Sequence, residues 1–367
     1  MSSSTPACLP TFADAFRVWM RIGLLSFGGP SGQIALMHEE LVERRRWLNE
    51  DQFLRALNFC MLLPGPEAHQ LAVYTGWILH GVRGGLVAGT LFVMPGALLL
   101  LGISILYTGW GTLPWLGAIF EGLKPAVVAI VAGALLRIGQ RALKTRSAWL
   151  IAGAAFVSLY WFNMPFPLVI LAAGATGWMT GRTSTAADET SAPATEEADW
   201  TSLTRRSVSI AIRGTIVWWA PAAILVMLMG PGHVLVREAV FFAKAALMTF
   251  GGAYAVLPYV AQQAVEHQGW LSTSHMIDGL ALAETTPGPL ILVLQFVGYL
   301  CGWNHPAPLP QWSAALLGAF IASWMTFVPS FIFIFAGAPW VERLKHFTRI
   351  NGALEFVTAA VVGVILN

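Results

Sequence analysis

The sequence is poor in charged residues, and this scarcity excludes most classes of soluble protein. Only 11% of its 367 residues are Asp, Glu, Lys or Arg, less than half of the roughly 25% found in ordinary soluble domains. So few charges cannot make a wettable surface over a chain that is 56% hydrophobic. This composition excludes a soluble enzyme, a nucleic-acid-binding protein and a disordered chain. We therefore expect a membrane protein with the lipid bilayer as its surroundings and no nucleic-acid partner.

Cysteine patterns and the motifs of common enzymes are also missing. Cys8, Cys60 and Cys301 lie far apart and form no C-x-x-C pair, so the sequence predicts neither a disulfide framework nor a thiolate metal site. There is no H-E-x-x-H metalloenzyme motif and no G-x-x-x-x-G-K-[ST] nucleotide-binding motif. We predict no metal, no cofactor, no ATP-driven pumping and no enzymatic activity.

Long apolar intervals are abundant, and they predict membrane helices. A helix needs about 20 mostly apolar residues to span a bilayer. Two apolar segments carry isolated charges, at 12–37 and 53–80. Five further intervals contain no Asp, Glu, Lys or Arg: 84–120, 147–181, 214–236, 245–265 and 285–341. These runs lack the apolar–polar alternation of membrane β-strands, so we predict an all-α polytopic membrane protein with about ten membrane segments.

An internal repeat divides the chain into two homologous halves. Three landmarks recur at one offset of 223 residues: Phe-Gly-Gly at 27–29 and 250–252, Trp47 and Trp270, and Pro-Gly-Pro at 64–66 and 287–289. Farther along, an offset of 230 aligns 122–133 with 352–363. We predict a first repeat at 1–181, a polar linker at 182–213 and a second repeat at 214–367. The second repeat stops four residues after Gly363, so we expect it to lack a last helix that the first repeat has, in a chain that is either trimmed or short.

Positive charge differs between the equivalent loops of the two halves. The segment 38–55 contains four arginines, whereas its counterpart 261–278 contains no Lys or Arg. Short loops rich in Lys and Arg stay in the cytoplasm. We therefore predict that the two halves have inverted topology, an arrangement that recurs in secondary transporters.

The repeated motifs predict discontinuous helices and an anion site. Proline cannot continue a helix, yet apolar sequence flanks each break, and such breaks are tolerated in membranes only inside protein or beside a cavity. Each restarting helix directs free N–H groups and about half a positive charge towards the break. Four converging breaks would attract an anion, including a divalent one.

The predicted site residues lie at the breaks and at polar positions beside them. Arg21 and Lys244 occupy one repeat position and either add charge to the site or extend to the membrane interface. Three residues are predicted to couple or gate transport: Glu67, His69 and Glu284. The residues predicted to bind the substrate are Arg21, Phe27, Gly28, Gly29, Pro30, Ser31, Gln33, Asn58, Pro64, Gly65, Pro66, Lys244, Gly251, Gly252, Pro287, Gly288 and Pro289.

At these residues the sequence resembles the chromate ion transporter family in its long, two-domain form. The resemblance is carried by 25–35, by 39–47 with its three consecutive arginines, and by 58–68 around the first Pro-Gly-Pro. In the second half it is carried by 250–254 and 285–289. The resemblance implies a bacterial inner-membrane exporter that lowers cytoplasmic chromate and gives chromate resistance.

The expected function is therefore alternating-access export of chromate, driven by the membrane potential, by a proton gradient or by both. Sulfate has the same tetrahedral geometry and is the expected competitor. The alternatives left open are uptake or exchange of sulfate and a membrane-embedded enzyme acting on a lipid phosphate. Both a monomer and a homodimer remain open.

Overall fold

The computed structural model is entirely helical over the residues that it describes, and these contain no strand. The described residues are 10–27, 29–110, 145–162, 164, 166–180, 200–249, 253–341, 359–360 and isolated positions between 118 and 143. The residues 122–133 and 352–363, which define the 230-residue offset, lie largely outside this part of the chain.

In the first half, helices start and stop where the sequence predicts breaks. A π-helix, Glu39–Arg44, directly continues α2. The α-helices are α1 Phe12–Leu25, α2 Gly29–His38, α3 Glu50–Leu62, α4 Glu67–Trp110, α5 Arg146–Tyr160 and α6 Phe166–Thr180.

The second half begins within α7, which includes the last part of the segment predicted as a linker, from residue 200 onwards. A second π-helix, Gln262–His267, continues α9, and a 3-10 turn, Leu290–Leu292, precedes α11. The α-helices are α7 Trp200–Met229, α8 Val234–Met248, α9 Ala253–Ala261, α10 Thr273–Thr285, α11 Val293–Asn304 and α12 Gln311–Val341.

The 223-residue repeat is visible in the structure, helix by helix. Both ends of α3 match those of α10, and both ends of one π-helix match those of the other, at this offset. The cap that begins α3 is the Asn49 side chain, and its counterpart at α10 is Ser272. Arg46 and Gly269, again equivalent, both adopt positive φ, at 54° and 62°. Homologous local sequence thus produces the same turns in both halves.

Two helical hairpins follow the Pro-Gly-Pro breaks. Helix α4 turns back at His80 and Gly81, whose backbone angles are not helical. Its arms pack so closely that a Cβ added to Gly76 would lie 2.6 Å from the carbonyl oxygen of Gly84. The second half forms the same hairpin from α11 and α12, and Gly298 takes part in its close crossing. Small residues permit this approach of the two backbones.

The hydrophobic cores of the two halves exchange elements. The core of the first half is built from α1 to α4, and the end of α12 contributes Ile334, Phe335 and Ala338 to it. The core of the second half is built from α7 to α12, and the second arm of α4 contributes Leu100. Part of the far arm of each hairpin therefore packs into the core of the other half, while the rest of that arm stays in its own core.

Three helices in the described part of the chain are long and apolar enough to cross a membrane, namely α4, α7 and α12. Shorter apolar helices occur at 168–177 and 290–304. The helices that lead into the breaks have only 13 to 15 residues, about 20 Å at the helical rise of 1.5 Å per residue. Each is shorter than the roughly 30 Å hydrocarbon core of a bilayer.

Candidate functional site

The breaks of the two halves meet crosswise, at two equivalent contacts. The backbone N–H of Gly65 donates to the carbonyl oxygen of Thr249 over 2.7 Å, and the N–H of Gly288 donates to that of Ser26 over 2.8 Å. Gly65 and Gly288 are equivalent at the 223-residue offset, and so are Ser26 and Thr249. We call the contact at Gly65 the first junction and the contact at Gly288 the second junction. At each junction, the Pro-Gly-Pro of one half is bound to the residue before the Phe-Gly-Gly of the other.

The backbone at both junctions requires glycine. Gly65 has φ of 126° and Gly288 has φ of 103°, a region that residues with a Cβ rarely adopt. A Cβ on Gly65 would lie 2.6 Å from the side-chain nitrogen of Gln70 and 3.2 Å from the Ser330 hydroxyl. The same conformation brings the Pro-Gly-Pro N–H groups towards the opposite half.

Gln33 strengthens the second junction. Its side-chain nitrogen, Nε2, donates to the Gly288 carbonyl over 2.6 Å and to the Ser26 carbonyl over 3.3 Å. The residue is buried, with 1% of its surface exposed. It therefore connects α2 to the second Pro-Gly-Pro.

Gln70 and Ser330 surround the first junction. The Gln70 Nε2 donates to the Pro64 carbonyl over 2.7 Å, so that this side chain supports the break from the following helix. Ser330 comes from α12, the far arm of the second hairpin. The first junction thus contains side chains from both halves.

Buried polar atoms remain without a hydrogen-bond partner at both junctions. Among the residues that the structure describes, they are the hydroxyls of Ser26 and Ser330 and the Oε1 atoms of Gln33 and Gln70. Buried polar groups in proteins are nearly always hydrogen-bonded, and exceptions often mark a site for a ligand or water. Hydroxyl groups can donate to an oxyanion, and amide oxygens can accept from bound water.

Glu284 is connected to the first half through a tyrosine. The Tyr254 hydroxyl donates to Oε1 of Glu284 over 2.7 Å. The same hydroxyl lies 3.6 Å from the position that a Cβ would take on Gly29, whose φ is 69°. Glu284 and the first Phe-Gly-Gly break therefore lie on opposite sides of one tyrosine.

Helix α4 packs directly on the second Pro-Gly-Pro. A Cβ on Gly96 would collide with the carbonyl oxygen of Pro287, so this contact depends on the absence of a side chain. Next to it, the Gln295 side chain donates to the Ala97 carbonyl over 3.0 Å. The far arm of α4 and the start of the second hairpin are held together at this point.

The predicted cations have different surroundings. Arg21 lies 3.7 Å from Glu40, a buried carboxylate that also pairs with Arg44 and Arg45. Lys244, the repeat equivalent of Arg21, is exposed, and the position equivalent to Glu40 is Gln263. The structure therefore places Arg21 in a charged cluster with the basic loop of the first half.

Other predicted residues lie away from the junctions or outside the described residues. Phe27, Ser31 and Asn58 are exposed, and Ser31 lines an open pocket of 510 Å³ between α2, the first π-helix and α3. Pro30 is half-buried, whereas Pro66 and the second Pro-Gly-Pro, 287–289, are buried. Three predicted residues lie outside the part of the chain that the structure describes: Gly28, Gly251 and Gly252.

The two other gating candidates lie at the start of α4. Glu67 is half-buried and His69 is fully buried. The His69 ring packs edge-on against Phe327 and Phe331, with centroids 5.1 Å away in each case. It therefore contacts the same stretch of α12 that brings Ser330 to the first junction.

Sequence reasoning missed several residues of the junctions. Ser26 and Thr249 could have been found, because they are hydroxyl residues at one repeat position directly before each Phe-Gly-Gly. Gln70 could have been noticed as a polar residue in an apolar run. Ser330 and Tyr254 carry no such signal, because only the packing of α12 and α9 brings them to the breaks.

Known proteins resemble this chain over most of its length. A profile of the family described as Chromate transporter matches residues 13–178 and 236–367. A chromate transport protein of Pseudomonas aeruginosa is 32% identical over 370 residues, covering 97% of this chain and 79% of the relative. A chromate transport protein of Cupriavidus metallidurans is 29% identical over 356 residues, covering 97% and 81%. An uncharacterized transporter of Bacillus subtilis is 33% identical over 137 residues, covering 36% of this chain and 68% of the relative.

No solved structure matches the chain. The family profile covers both repeats, including the breaks that form the two junctions. Because the profile matches most of the chain and a chromate transport protein is 32% identical over 97% of it, the chain belongs to the chromate transporter family.

Proposed function

We propose that this protein carries chromate out of the cytoplasm across the bacterial inner membrane by alternating access. The observation that carries the proposal is the crosswise pairing of the four breaks, in a chain whose relatives are named chromate transport proteins. Chromate is a tetrahedral dianion, and helix breaks with free N–H groups suit such a ligand.

The junctions are the proposed substrate site. The N–H groups of Gly65 and Gly288 donate to carbonyl oxygens of the opposite half. A chromate oxygen accepts hydrogen bonds in the same way and carries more negative charge, so it would compete for these donors. Substrate binding would then separate the two halves at the junction where it binds.

Inverted topology of the two halves would turn this separation into transport. Its support is the excess of arginine in 38–55 over 261–278 and the equivalence of the two junctions. Rocking of the halves would open first one junction and then the other, each towards a different side of the membrane. Helices α1, α3, α8 and α10 are too short to span a bilayer, which favours a site near the middle of the membrane.

We propose Glu67, His69 and Glu284 as gating or coupling residues. Glu284 accepts from Tyr254 beside Gly29, so a change in its charge would alter the contact between α10 and the first break. Glu284→Gln keeps the acceptor oxygen and removes the charge. Transport by this variant that stays unchanged at every pH would contradict a coupling role.

The membrane potential is sufficient to drive the proposed export. Moving one charge through 100 mV is worth about 2.3 kcal/mol, so expelling a dianion from a negative interior gains about 4.6 kcal/mol. A proton moving inwards would add to this driving force. ATP is not required.

The test is chromate flux by the purified protein in liposomes, followed by chromate accumulation in cells. We expect saturable flux of radioactive chromate that sulfate reduces, and lower chromate accumulation in energised cells that express the protein. Sulfate flux much faster than chromate flux would indicate a sulfate transporter. Higher accumulation of chromate in cells that express the protein would indicate uptake of chromate rather than export. Flux no greater than that of empty liposomes would overturn the proposal.

A further inference from the structure

Helix α8 contains a carboxylate that the proposed anion site does not use. Glu238 is completely buried. Among the described residues, no N–H or O–H group donates to either of its side-chain oxygens. Isolated carboxylates are rarely buried, because removing their charge from water is costly. Inside a membrane protein such a residue is usually kept for a function.

Glu238 lies where the backbones of α11 and α12 cross closely. A Cβ on Gly298 would be 2.6 Å from its Oε1, and a Cβ on Gly318 would be 3.2 Å from its Oε2. The carboxylate is therefore inserted from α8 into the crossing of α11 and α12. Only glycine at both positions leaves room for it.

We propose that Glu238 takes up a proton from one side of the membrane and releases it to the other in each transport cycle. This inference rests on the proposed function and adds a coupling ion to it. The carboxylate gains one proton on binding and is restored on release. Binding the proton removes the cost of a buried charge, and the crossing can then close around a neutral acid.

The groups around Glu238 fit a proton rather than a metal ion or a structural ion pair. From α11, the nearest ionisable group is the thiol of Cys301, which is buried beside the carboxylate. From α12, the neighbours are Gly318 and Ala322, which cannot ionise. On α8 itself the adjacent Arg237 is exposed, and in the described part of the chain no cation forms an ion pair with Glu238.

Helix capping does not account for the carboxylate. The cap of α8 is His233, whose side chain accepts from the N–H of Leu235. Glu238 is one turn farther into the helix, and its oxygens accept from no backbone N–H in the described residues. Its position is thus explained by neither capping nor ion pairing.

Glu238 connects to both junctions along continuous helices. Eleven residues after it, α8 reaches Thr249, whose carbonyl accepts from Gly65. Across the crossing, α11 leads back through the 3-10 turn to Gly288 of the second junction. About 16 Å of helix separate Glu238 from Thr249. A shift of α8 against the second hairpin would therefore also move the residues at the breaks. Uptake of the proton can therefore alter both junctions from a distance.

The first half has no counterpart of this carboxylate. The repeat equivalent of Glu238 is Ala15, which is also buried. The difference means that only the second half carries the proton. A single proton site, present in only one half of the chain, suits a transporter whose halves are otherwise equivalent.

The test compares Glu238→Gln with wild type in liposomes that contain a pH-sensitive dye. We expect wild type to move protons inwards as chromate moves outwards. Glu238→Gln should still exchange radioactive chromate for chromate, which needs no net proton movement, but should lose the proton signal and the pH dependence of the exchange. Glu266→Gln is the control, because Glu266 is an exposed glutamate of the same half. A wild-type ratio of protons to chromate in Glu238→Gln would overturn the inference.

Two further measurements locate the proton site, and the second uses only the wild-type protein. Loss of the proton signal in Glu284→Gln, with Glu238→Gln unaffected, would place the proton site at the break instead. On the wild-type protein, dicyclohexylcarbodiimide reacts with protonated carboxyl groups in apolar surroundings. We expect it to modify Glu238 less as pH rises, and no modification at any pH would overturn the inference. This labelling needs no transport, so it separates failure of the proton site from failure of the proposed function.

Discussion

Individual residues with unusual backbone conformations determine the geometry of the two junctions. Gly65 and Gly288 adopt positive φ in otherwise buried surroundings, and their N–H groups bind the opposite half. The sequence predicted both as site residues, because Pro-Gly-Pro interrupts an apolar run. It could not predict their partners, because Ser26 and Thr249 reach them only through the packing of distant helices.

We predict that Gly288→Ala lowers both stability and transport. Alanine at a φ of 103° costs about 1–3 kcal/mol, and the strained junction should lose its bond to Ser26. Thermal unfolding in detergent and chromate flux in liposomes measure the two effects. Gly232→Ala is the matched control, because Gly232 has ordinary φ and nothing within 4 Å of an added Cβ. Equal unfolding and flux in Gly288→Ala and wild type would contradict the prediction.

Gln33 is expected to be essential to the second junction. In Gln33→Leu the buried Gly288 carbonyl loses its close donor, which should lower the free energy of unfolding by about 1–3 kcal/mol. Chromate flux should fall with it. Gln262→Ala removes an exposed glutamine and should change stability by less than about 0.5 kcal/mol. If Gln33→Leu unfolds and transports like wild type, the hydrogen bonds from Gln33 to the second junction have no role in stability or transport.

At the scale of helices, the repeat is clearest in how the elements begin and end. Asn49 and Ser272 cap equivalent helices, and equivalent π-helices precede them. Caps and breaks are local properties, so the sequence predicts them well. The turn at His80 and Gly81 within α4 lies at the boundary between the apolar segments predicted at 53–80 and 84–120.

The contact of α4 with the second Pro-Gly-Pro gives a prediction at this scale. Gly96→Ala should push α4 away from Pro287, because the added Cβ would collide with a backbone oxygen that cannot move aside. We expect unfolding at a lower temperature and a marked loss of chromate flux. Gly102→Ala on the same helix meets nothing within 4 Å, and the two substitutions should differ clearly. Similar behaviour of both variants would show that the close packing is not required.

At the scale of the whole molecule, each half packs part of the far arm of the other half's hairpin into its own core. Leu100 of α4 lies in the second core and Phe335 of α12 lies in the first. The halves therefore share their hydrophobic interior as well as the junctions. This exchange limits how the halves can move, because any rocking must carry the hairpin arms along.

Inverted topology is tested by labelling an equivalent pair of positions. Glu43 and Glu266 are both exposed and are related by the repeat offset. Single cysteines there, in a chain with Cys8→Ser, can be labelled selectively, because Cys60 and Cys301 are buried. We expect a membrane-impermeant reagent to label Glu43→Cys only from the cytoplasmic side and Glu266→Cys only from the opposite side. Labelling of both from one side would contradict inverted topology.

The sequence alone determined the class of the protein, the repeat and the positions of the helix breaks. These follow from composition and from the local effects of proline and glycine, which act within a few residues. Only the tertiary structure decided which break meets which, that the hairpins exchange arms, and that Glu238 is buried at the crossing of α11 and α12. The physical reason is that these contacts join residues far apart in the chain, and they depend on which helix faces pack together.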